Sequence, residues 1–242
     1  MKPRNATVAC FVQARMGSTR LPEKMITKIG EFVILEWVLK RLQKAENISV
    51  LALLTSSLQK DNVLTQIADR NSVKYFTGSE SDVASRFVEA SKIWPADHYI
   101  RICADNPFIC YREIETLIDY HIDGKYDYSF NHIPALGNNY ADGFGAEIFS
   151  NTAMQSLGAC ELTIAEKEHV TKFFWNRREQ YKFGIPQARG LLRRPDLVFD
   201  VDTPADLAKF KKVEHLIKID MNGEQIVSTL EQANMLSLFL HS

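Results

Sequence analysis

The strongest candidate for chemistry is one short basic stretch, residues 13–24, with the sequence Gln-Ala-Arg-Met-Gly-Ser-Thr-Arg-Leu-Pro-Glu-Lys. Its cations are Arg15, Arg20 and Lys24, and guanidinium or ammonium groups balance the oxygens of a phosphate chain. Gly17 lets the backbone approach such a ligand closely because it has no side chain. We therefore predict a loop that binds a triphosphate, against the alternative of a solvated basic turn.

The position of this basic loop favours binding over solvation. The loop directly follows an apolar run, residues 7–12, which is typical of a buried first strand. In an open parallel sheet, ligands bind outside the carboxyl ends of the strands. A cluster of cations at that point is better explained by an anionic ligand than by a turn in water.

Two acidic residues follow strand-like runs in the same way. Asp105 comes after residues 99–103, and Asp202 comes after residues 197–201. Two carboxylates beside a phosphate loop would suit Mg²⁺, which takes one or two carboxylates together with phosphate oxygens and water. Asp200 is a second candidate, because side-chain alternation along a strand puts it on the same side as Asp202. The alternative makes Asp105 a turn residue and Asp202 part of a helix-capping network.

The elements that must position these residues alternate between strands and helices. Apolar spacing predicts strands at 7–12, 49–55, 73–76, 98–103, 126–130, 146–149 and 196–201, and helices at 32–42, 61–68, 83–93, 114–121, 165–178 and from Pro204 onward. Ser79 or Ser81 is expected to cap the third helix, and Thr203 the last one. This alternation predicts an α/β fold with a mostly parallel sheet. We expect one domain over residues 1–242, with an excursion at about 130–195.

Composition excludes several classes of partner. The 242 residues carry a net charge of −1, so nothing global indicates nucleic acid or an anionic membrane. No apolar run approaches the ~20 residues that a membrane-spanning helix needs. Residues 1–5 are polar, so we expect no signal peptide and a cytoplasmic protein. The four cysteines match no zinc spacing, and Cys10, Cys103 and Cys110 are expected to be buried, reduced thiols.

Five stretches, in order along the chain, resemble the spore coat polysaccharide F-type cytidylyltransferases. More distantly, they are similar to the synthetases that make CMP-activated 3-deoxy-octulosonate and CMP-sialic acid. The stretches are residues 13–24, 76–83 (Phe-Thr-Gly-Ser-Glu-Ser-Asp-Val), 101–107 (Arg-Ile-Cys-Ala-Asp-Asn-Pro), 168–171 (Glu-His-Val-Thr) and 200–207 (Asp-Val-Asp-Thr-Pro-Ala-Asp-Leu). Their shared order makes the resemblance stronger than any one of them would.

The resemblance implies a fold and a reaction. The fold would be a three-layer α/β/α, Rossmann-like arrangement of the GT-A-like type found in nucleotide-diphospho-sugar transferases. The reaction would be attack of an acceptor oxygen on the α-phosphorus of CTP, with release of pyrophosphate. By the same resemblance, the catalytic residues are Arg15, Lys24, Asp105 and Asp202, with Mg²⁺ held by the last two. The implied nucleotide contacts are Gln13, Ala14, Arg15, Gly17, Ser18, Arg20, Lys24, Thr55, Ser79, Asp82 and Arg86.

The resemblance also implies a small acidic sugar-like acceptor, contacted by Glu147 and His169, and a homodimer formed through the excursion. A structural role for His169 stays open, as does a plain helix cap for residues 79–82. The aromatic residues 173–175 would suit a dimer interface or a core equally well.

Three departures from the family pattern bear on these expectations. Most members have Gly at Glu23 and Cys at Asn106, and an acidic residue where this chain has Gly145. The third departure lies near the expected acceptor side. Two further functions remain: a glycosyltransferase or other-NTP transferase of the same fold, although the Asp-x-Asp motif comes late in the chain, and a non-catalytic nucleotide-binding subunit.

Overall fold

A central β-sheet organises the protein, for which the computed structural model describes residues 6–133 and 136–241. The polar residues 1–5 lie outside this part, so the expectation about a signal peptide does too. The strands are β1 Val8–Gln13, β2 Lys28–Ile29, β3 Phe32–Val33, β4 Val50–Ser56, β5 Lys74–Gly78, β6 His98–Cys103, β7 Tyr128–Phe130, β8 Glu147–Ser150 and β9 Phe183–Gly184. Within the described residues, seven of them form one sheet in the order β5-β4-β1-β6-β8-β7-β9.

The sheet is mostly parallel, as predicted. β1 pairs in parallel with β4 and β6, β4 with β5, and β7 with β9, whereas β8 is antiparallel to both of its neighbours. β2 and β3 form a separate small hairpin. The strands of the expected excursion therefore extend the main sheet, and the expectation of a single domain stays a prediction.

Helices cover both faces of this sheet. They are α1 Ile34–Leu42, α2 Asn62–Arg70, α3 Val83–Ile93, α4 Tyr111–Gly124, α5 Asn151–Ala159, α6 Ile164–Glu168, α7 Lys172–Asn176, α8 Pro204–Val213 and α9 Gly223–Gln232. α1, α2 and α4 pack on one face, and α3, α5 and α7 on the other. Strand residues alternate between these two buried clusters, which is why β1 is apolar on both faces. This is the expected three-layer α/β/α arrangement.

A third apolar cluster joins α8 and α9 to the segment after β6. Arg41 of α1 is fully buried beside it and donates to the carbonyl oxygens of Phe108, Ile109, Ile219 and Met221 at 2.6–3.3 Å. Burial lowers the pKa of Arg41 to about 10. Four carbonyl partners satisfy the guanidinium in place of a carboxylate, and they fix the chain just beyond Asp105.

Two predicted elements differ from those observed. The single helix expected at 165–178 is two short helices, α6 and α7, separated at His169. The strand expected at 196–201 forms no ladder: Val198 and Leu197 make isolated bridges to Asp142 and Leu240. The backbone of this segment bonds instead to loops, since the Val201 N–H donates to the Asp105 carbonyl at 2.9 Å.

In the described part of the chain, no helix has both the length and the apolar character needed to cross a membrane. The four cysteines are free thiols; Cys10 and Cys110 are buried as expected, whereas Cys103 is only half-buried.

Candidate active site

The basic loop begins at the carboxyl end of β1, and one buried carboxylate fixes the position of its backbone. Asp61 is fully buried and accepts the Met16 backbone N–H at 2.7 Å. Its other oxygen bonds the Ser56 hydroxyl at the end of β4. Within the loop, Ser18 accepts the Leu21 N–H at 3.2 Å. Sequence reasoning missed Asp61, because its partners are a backbone group and a hydroxyl, which no motif displays.

Lys24 connects the loop to both predicted metal-binding acids. Its ammonium lies 3.3 Å from Asp105 and 3.0 Å from Asp202, with 8% of the side chain exposed. Arg20 contacts Asp202 at 2.8 Å. The hydrogen bond from Val201 to the Asp105 carbonyl brings the two acids to this point. The structure thus assembles the four charged groups from stretches that lie far apart in the sequence.

Two further aspartates, Asp200 and Asp142, lie beside these charged groups. Asp200 has one buried carboxylate oxygen without a hydrogen-bond partner in the described residues. The pKa of Asp200 is raised to about 8, mainly by burial and to a smaller extent by repulsion from Asp142 and Asp105. Burial also raises the pKa of Asp142. Removing charged carboxylates from water disfavours their ionised form, and a neighbouring cation would relieve that cost.

The charged groups open into a cavity of about 330 Å³. Ten of the predicted site residues line it: Gln13, Ala14, Arg15, Gly17, Ser18, Arg20, Lys24, Asp105, His169 and Asp202. Thr19, Met25, Cys103 and Ala104 complete the lining. Five predicted residues are not part of it: Thr55, Ser79, Asp82, Arg86 and Glu147.

Two of those five lie buried near the basic loop with unused polar atoms. Arg86 is 1% exposed; its Nη1 donates to the Leu54 carbonyl at 3.3 Å, while its Nε and Nη2 have no partner in the described residues. The Thr55 hydroxyl is also buried and unpartnered there. Burial, with a smaller effect of nearby Arg15, lowers the pKa of Arg86 to about 10. Unsatisfied buried donors are rare and indicate a missing ligand or water.

Asp82 and Ser79 form a helix cap. The Asp82 side chain accepts the Ser85 N–H at 2.8 Å, so Asp82 caps α3, and the expectation of a Ser79 or Ser81 cap was wrong. Ser79 instead accepts the Asp82 N–H at 3.0 Å. Aspartate can serve as the N-cap residue of α3 because its carboxylate is at least as good an acceptor there as a serine hydroxyl.

His169 follows directly after α6 and lines the wall of the cavity. The neighbouring Glu168 lies 3.4 Å from Arg15 of the basic loop. Glu147 is 1% exposed; one carboxylate oxygen pairs with Arg101 and the other accepts the Tyr128 hydroxyl. Arg101 in turn donates to the Gln13 side chain at 3.2 Å. Glu147 therefore reaches the cavity only through two other side chains.

Comparison with known proteins decides the family. The cytidylyltransferase family model matches residues 9–226, which is most of the chain. The chain belongs to the cytidylyltransferase family. It is a nucleotidyltransferase by that membership, and the resemblance noted in the sequence is confirmed.

Relatives of this cytidylyltransferase include the spore coat polysaccharide biosynthesis protein SpsF of Bacillus subtilis. It is 26% identical over 228 residues, which span 92% of this chain and 93% of that protein. A cytidylyltransferase from Leptospira borgpetersenii superposes with a TM-score of 0.86 at 24% identity, over 98% of both chains. The CMP:2-keto-3-deoxy-manno-octonic acid synthetase solved with CTP superposes with a TM-score of 0.64 at 18% identity, over 87% of this chain and 99% of that one.

Two departures of this cytidylyltransferase from the family pattern have a visible structural counterpart. Glu23 has φ 57°, in the left-handed region that glycine adopts most easily. A Cβ on Gly145 would lie 2.3 Å from the Asn131 side-chain oxygen and 2.5 Å from its carbonyl oxygen. Asn131 thus occupies the space that an acidic side chain would need.

The remaining departure is Asn106, which is 4% exposed, with its side-chain oxygen unpartnered in the described residues.

The carboxylates of this cytidylyltransferase fit Mg²⁺ only in part. Within residues 6–133 and 136–241, no group of three or more His, Cys, Asp or Glu side chains is arranged to hold a metal. Asp105 and Asp202 nevertheless converge on one point, which is occupied by the Lys24 ammonium. Two carboxylates suffice for Mg²⁺ when substrate phosphates and water supply the remaining oxygens. The donor set therefore suits a metal that arrives with a nucleotide.

Proposed function

We propose that this cytidylyltransferase transfers CMP from CTP to an acidic sugar or a related acceptor, with Mg²⁺ and with release of pyrophosphate, in surface-glycan assembly. The observation that carries this proposal is the convergence of Lys24 and Arg20 with Asp105 and Asp202 in one cavity. The name of the Bacillus subtilis relative supports a polysaccharide pathway. The similar fold of a sugar-acid synthetase solved with CTP supports the nucleotide.

The basic loop supplies the charge that the reaction needs. Phosphoryl-type transfer asks little covalent chemistry of a protein, so positioning and electrostatic stabilisation dominate. Arg15, Arg20 and Lys24 would bind the triphosphate, with Ser18 and the Gly17 backbone beside them. As the bond to the leaving pyrophosphate breaks, Lys24 and Arg15 would balance the negative charge that develops on it.

Asp105 and Asp202 would hold Mg²⁺, which when bound offsets phosphate charge and orients the α-phosphate. Before the nucleotide binds, the Lys24 ammonium takes the place of the metal and keeps the two carboxylates together. Arg86 and Thr55 would face the nucleobase, because their buried polar atoms need partners. Ser79 and Asp82 would support that side through the α3 cap.

The acceptor would occupy the side of the cavity that His169 lines.

We also include a homodimer and a cytoplasmic location in the proposal. Phe173 and Phe174 are both fully buried within the chain, so a dimer interface would need other residues of the excursion. Size-exclusion chromatography with light scattering tests this point, because a monomer at micromolar concentration would contradict the dimer.

The deciding experiment measures pyrophosphate release with Mg²⁺ for each of the four NTPs against a panel of sugar acids and sugar phosphates. We expect release with CTP alone and a loss of about a hundredfold or more in Asp105→Asn. Asp69→Asn, on the exposed side of α2, is the matched control and should retain full activity. Release with another NTP would replace the cytidylyl assignment. No release, together with no thermal stabilisation by any NTP, would contradict catalysis and favour a non-catalytic subunit.

A further inference from the structure

A chain of hydrogen bonds runs through the protein from α7 to the wall of the cavity. The Trp175 indole N–H lies 3.3 Å from the Tyr128 hydroxyl, and Tyr128 donates to Glu147. Glu147 pairs with Arg101, and the Arg101 Nε donates to Gln13 at 3.2 Å. Tyr128 and Glu147 are almost completely buried, and 12% of the Arg101 side chain is exposed. Only the last member, Gln13, lines the cavity.

Chemistry fixes the orientation of the Gln13 carboxamide. A guanidinium has five donors and no acceptor, so Arg101 can bond only to the carbonyl oxygen of Gln13. The NH₂ group of Gln13 is then the end left for a ligand. Were the carboxamide turned over, two donors would face each other and the bond would be lost. Arg101 therefore makes Gln13 a hydrogen-bond donor towards the cavity.

The network lies on the β6 and β8 side of the site, away from the proposed nucleobase contacts. Gln13 is the last residue of β1, between Leu54 of β4 and Cys103 of β6 in the sheet register. Arg86 and Thr55, the proposed nucleobase contacts, lie on the β4 side. The Gln13 side chain bonds instead towards β6 and β8, the strands that carry Arg101 and Glu147.

Glu147 itself cannot contact an acceptor directly. Both of its oxygens are engaged, one with Arg101 and one with Tyr128, and the residue is 1% exposed. Arg101 and the Tyr128 hydroxyl outweigh the effect of burial and lower the pKa of Glu147. Its charge is thus balanced inside the protein. A buried, paired carboxylate orients its partner but offers nothing to a sugar.

We propose that Gln13 is the acceptor-reading residue of this enzyme, donating its carboxamide N–H to a carboxylate oxygen of the sugar acid, and that Arg101 and Glu147 are positioning residues. This inference rests on the proposed function. It moves Gln13 from the nucleotide contacts to the acceptor contacts, and it gives Glu147 an indirect role. A neutral donor suits this position, because the cations of the basic loop are needed for the triphosphate.

The test is Gln13→Glu, which keeps the side-chain shape and the bond to Arg101 but replaces the donor with an acceptor oxygen. Steady-state pyrophosphate release is measured with CTP and the sugar acid that the wild-type enzyme uses, beginning with 3-deoxy-manno-octulosonate. We expect the acceptor KM to rise about tenfold or more while the CTP KM changes less than about twofold. Gln66→Glu, on the exposed side of α2, is the matched control and should change neither KM.

Glu147→Gln tests the positioning role. It removes the charge that holds Arg101, so the acceptor KM should rise selectively, by less than in Gln13→Glu. If Glu147→Gln fails to fold, Gln13→Glu still tests the inference. Its new carboxylate lies beside the Arg101 cation, so this variant should fold. A rise in the CTP KM of Gln13→Glu, or no change in either KM, would overturn the inference and leave the proposed function intact. No turnover by the wild-type enzyme with any acceptor would overturn both.

Discussion

Asp61 shows how a single side chain can set the shape of a binding loop. It lies at the junction between β4 and α2, fully buried, and holds the Met16 N–H of the basic loop. A buried carboxylate that accepts a backbone N–H strengthens that bond, because one partner is ionised. The loop cations are therefore placed by an acid that does not itself line the cavity.

We predict that Asp61→Asn weakens nucleotide binding without unfolding the protein. The amide keeps the size of the carboxylate, but only its oxygen can accept, so the Met16 bond loses its charged partner and the Ser56 hydroxyl must turn to accept from the amide nitrogen. Loss of one charge-assisted bond should raise the Kd for CTP about tenfold. Titration calorimetry with CTP checks this, with Asp69→Asn as the exposed control. Equal affinities for both variants would show that the loop does not depend on Asp61.

Glu23 carries a backbone strain that glycine would relieve. A left-handed conformation costs an ordinary residue roughly 1–2 kcal/mol, and the extra freedom of unfolded glycine offsets about half of any gain. Glu23→Gly should therefore raise the free energy of unfolding by about 0.5 kcal/mol. The same change at Glu31, an exposed turn residue without a positive φ, should lower it. Urea denaturation compares the two, and a loss in Glu23→Gly would contradict the strain.

Residues of the basic loop could be predicted from sequence because their charges are adjacent in the chain. The positions of Asp105 and Asp202 after strand-like runs predicted that they meet beside the loop, and the family resemblance decided between metal binding and a role in turns or caps. Asp61 and Arg101 could not be found, because the bonds that tie them to the site, from Asp61 to Met16 and from Arg101 to Gln13 and Glu147, span 45 or more residues and are visible only after folding. Local chemistry is readable from a sequence, whereas long-range hydrogen bonds are not.

At the scale of elements, local signals predicted the start of α8 correctly, but they misplaced the cap of α3 and failed where tertiary bonds decide. Thr203, Pro204 and Asp206 form the predicted capping box of α8. The break at His169 was missed, because apolar spacing continues across it. The carboxylate of Glu166 bonds both Asn176 and Arg177, and so ties the end of α7 back to α6. A bond between side chains of two helices leaves no periodic trace in the sequence.

The packing of Gly145 against Asn131 leads to a prediction about β8. The Asn131 side chain accepts the Ala146 N–H at 2.8 Å and fixes the start of this strand. Gly145→Ala should lower the free energy of unfolding by about 2–3 kcal/mol, because overpacking forces the backbone to shift. Gly17→Ala, whose Cβ would meet nothing closer than 3.5 Å, should have little effect on stability.

The double variant Gly145→Ala/Asn131→Gly makes the prediction specific to this pair. It removes the side-chain contact but keeps the contact with the Asn131 carbonyl, so its loss of stability should be smaller than the sum of the losses in Gly145→Ala and Asn131→Gly. Denaturant unfolding of the single and double variants gives their coupling energy. Simple additivity of the two losses would mean that the two residues do not compete for space.

For the whole molecule, two histidines between the sheet and α4 predict sensitivity to acid. His98 and His121 meet edge to face with ring centroids 5.0 Å apart, and His121 is fully buried. Burial lowers the pKa of His121 to about 3, and it lowers the pKa of His98 as well. Both rings stay neutral in the fold under conditions in which the unfolded chain would protonate them.

Stability should therefore fall as the pH drops below about 6.5, the ordinary histidine value. In that range unfolding takes up protons, at a cost to stability of up to about 1.4 kcal/mol per pH unit for each histidine. Urea unfolding between pH 8 and pH 5 measures this slope. His121→Gln should flatten it, whereas the exposed His215→Gln should not. An unchanged slope in His121→Gln would assign the acid sensitivity to other groups.

The distance along the chain between Lys24 and Asp202 has a consequence for biosynthesis. The ladders of β1 with β4 and β6 are complete once about the first hundred residues have emerged from the ribosome, yet the acid that pairs with Lys24 comes 178 residues after it. A nascent chain would therefore contain these strands of the sheet long before it contains a complete active site. In refolding experiments, CTP binding should return after the far-ultraviolet circular dichroism signal of the secondary structure, and simultaneous recovery would show that both form in one step.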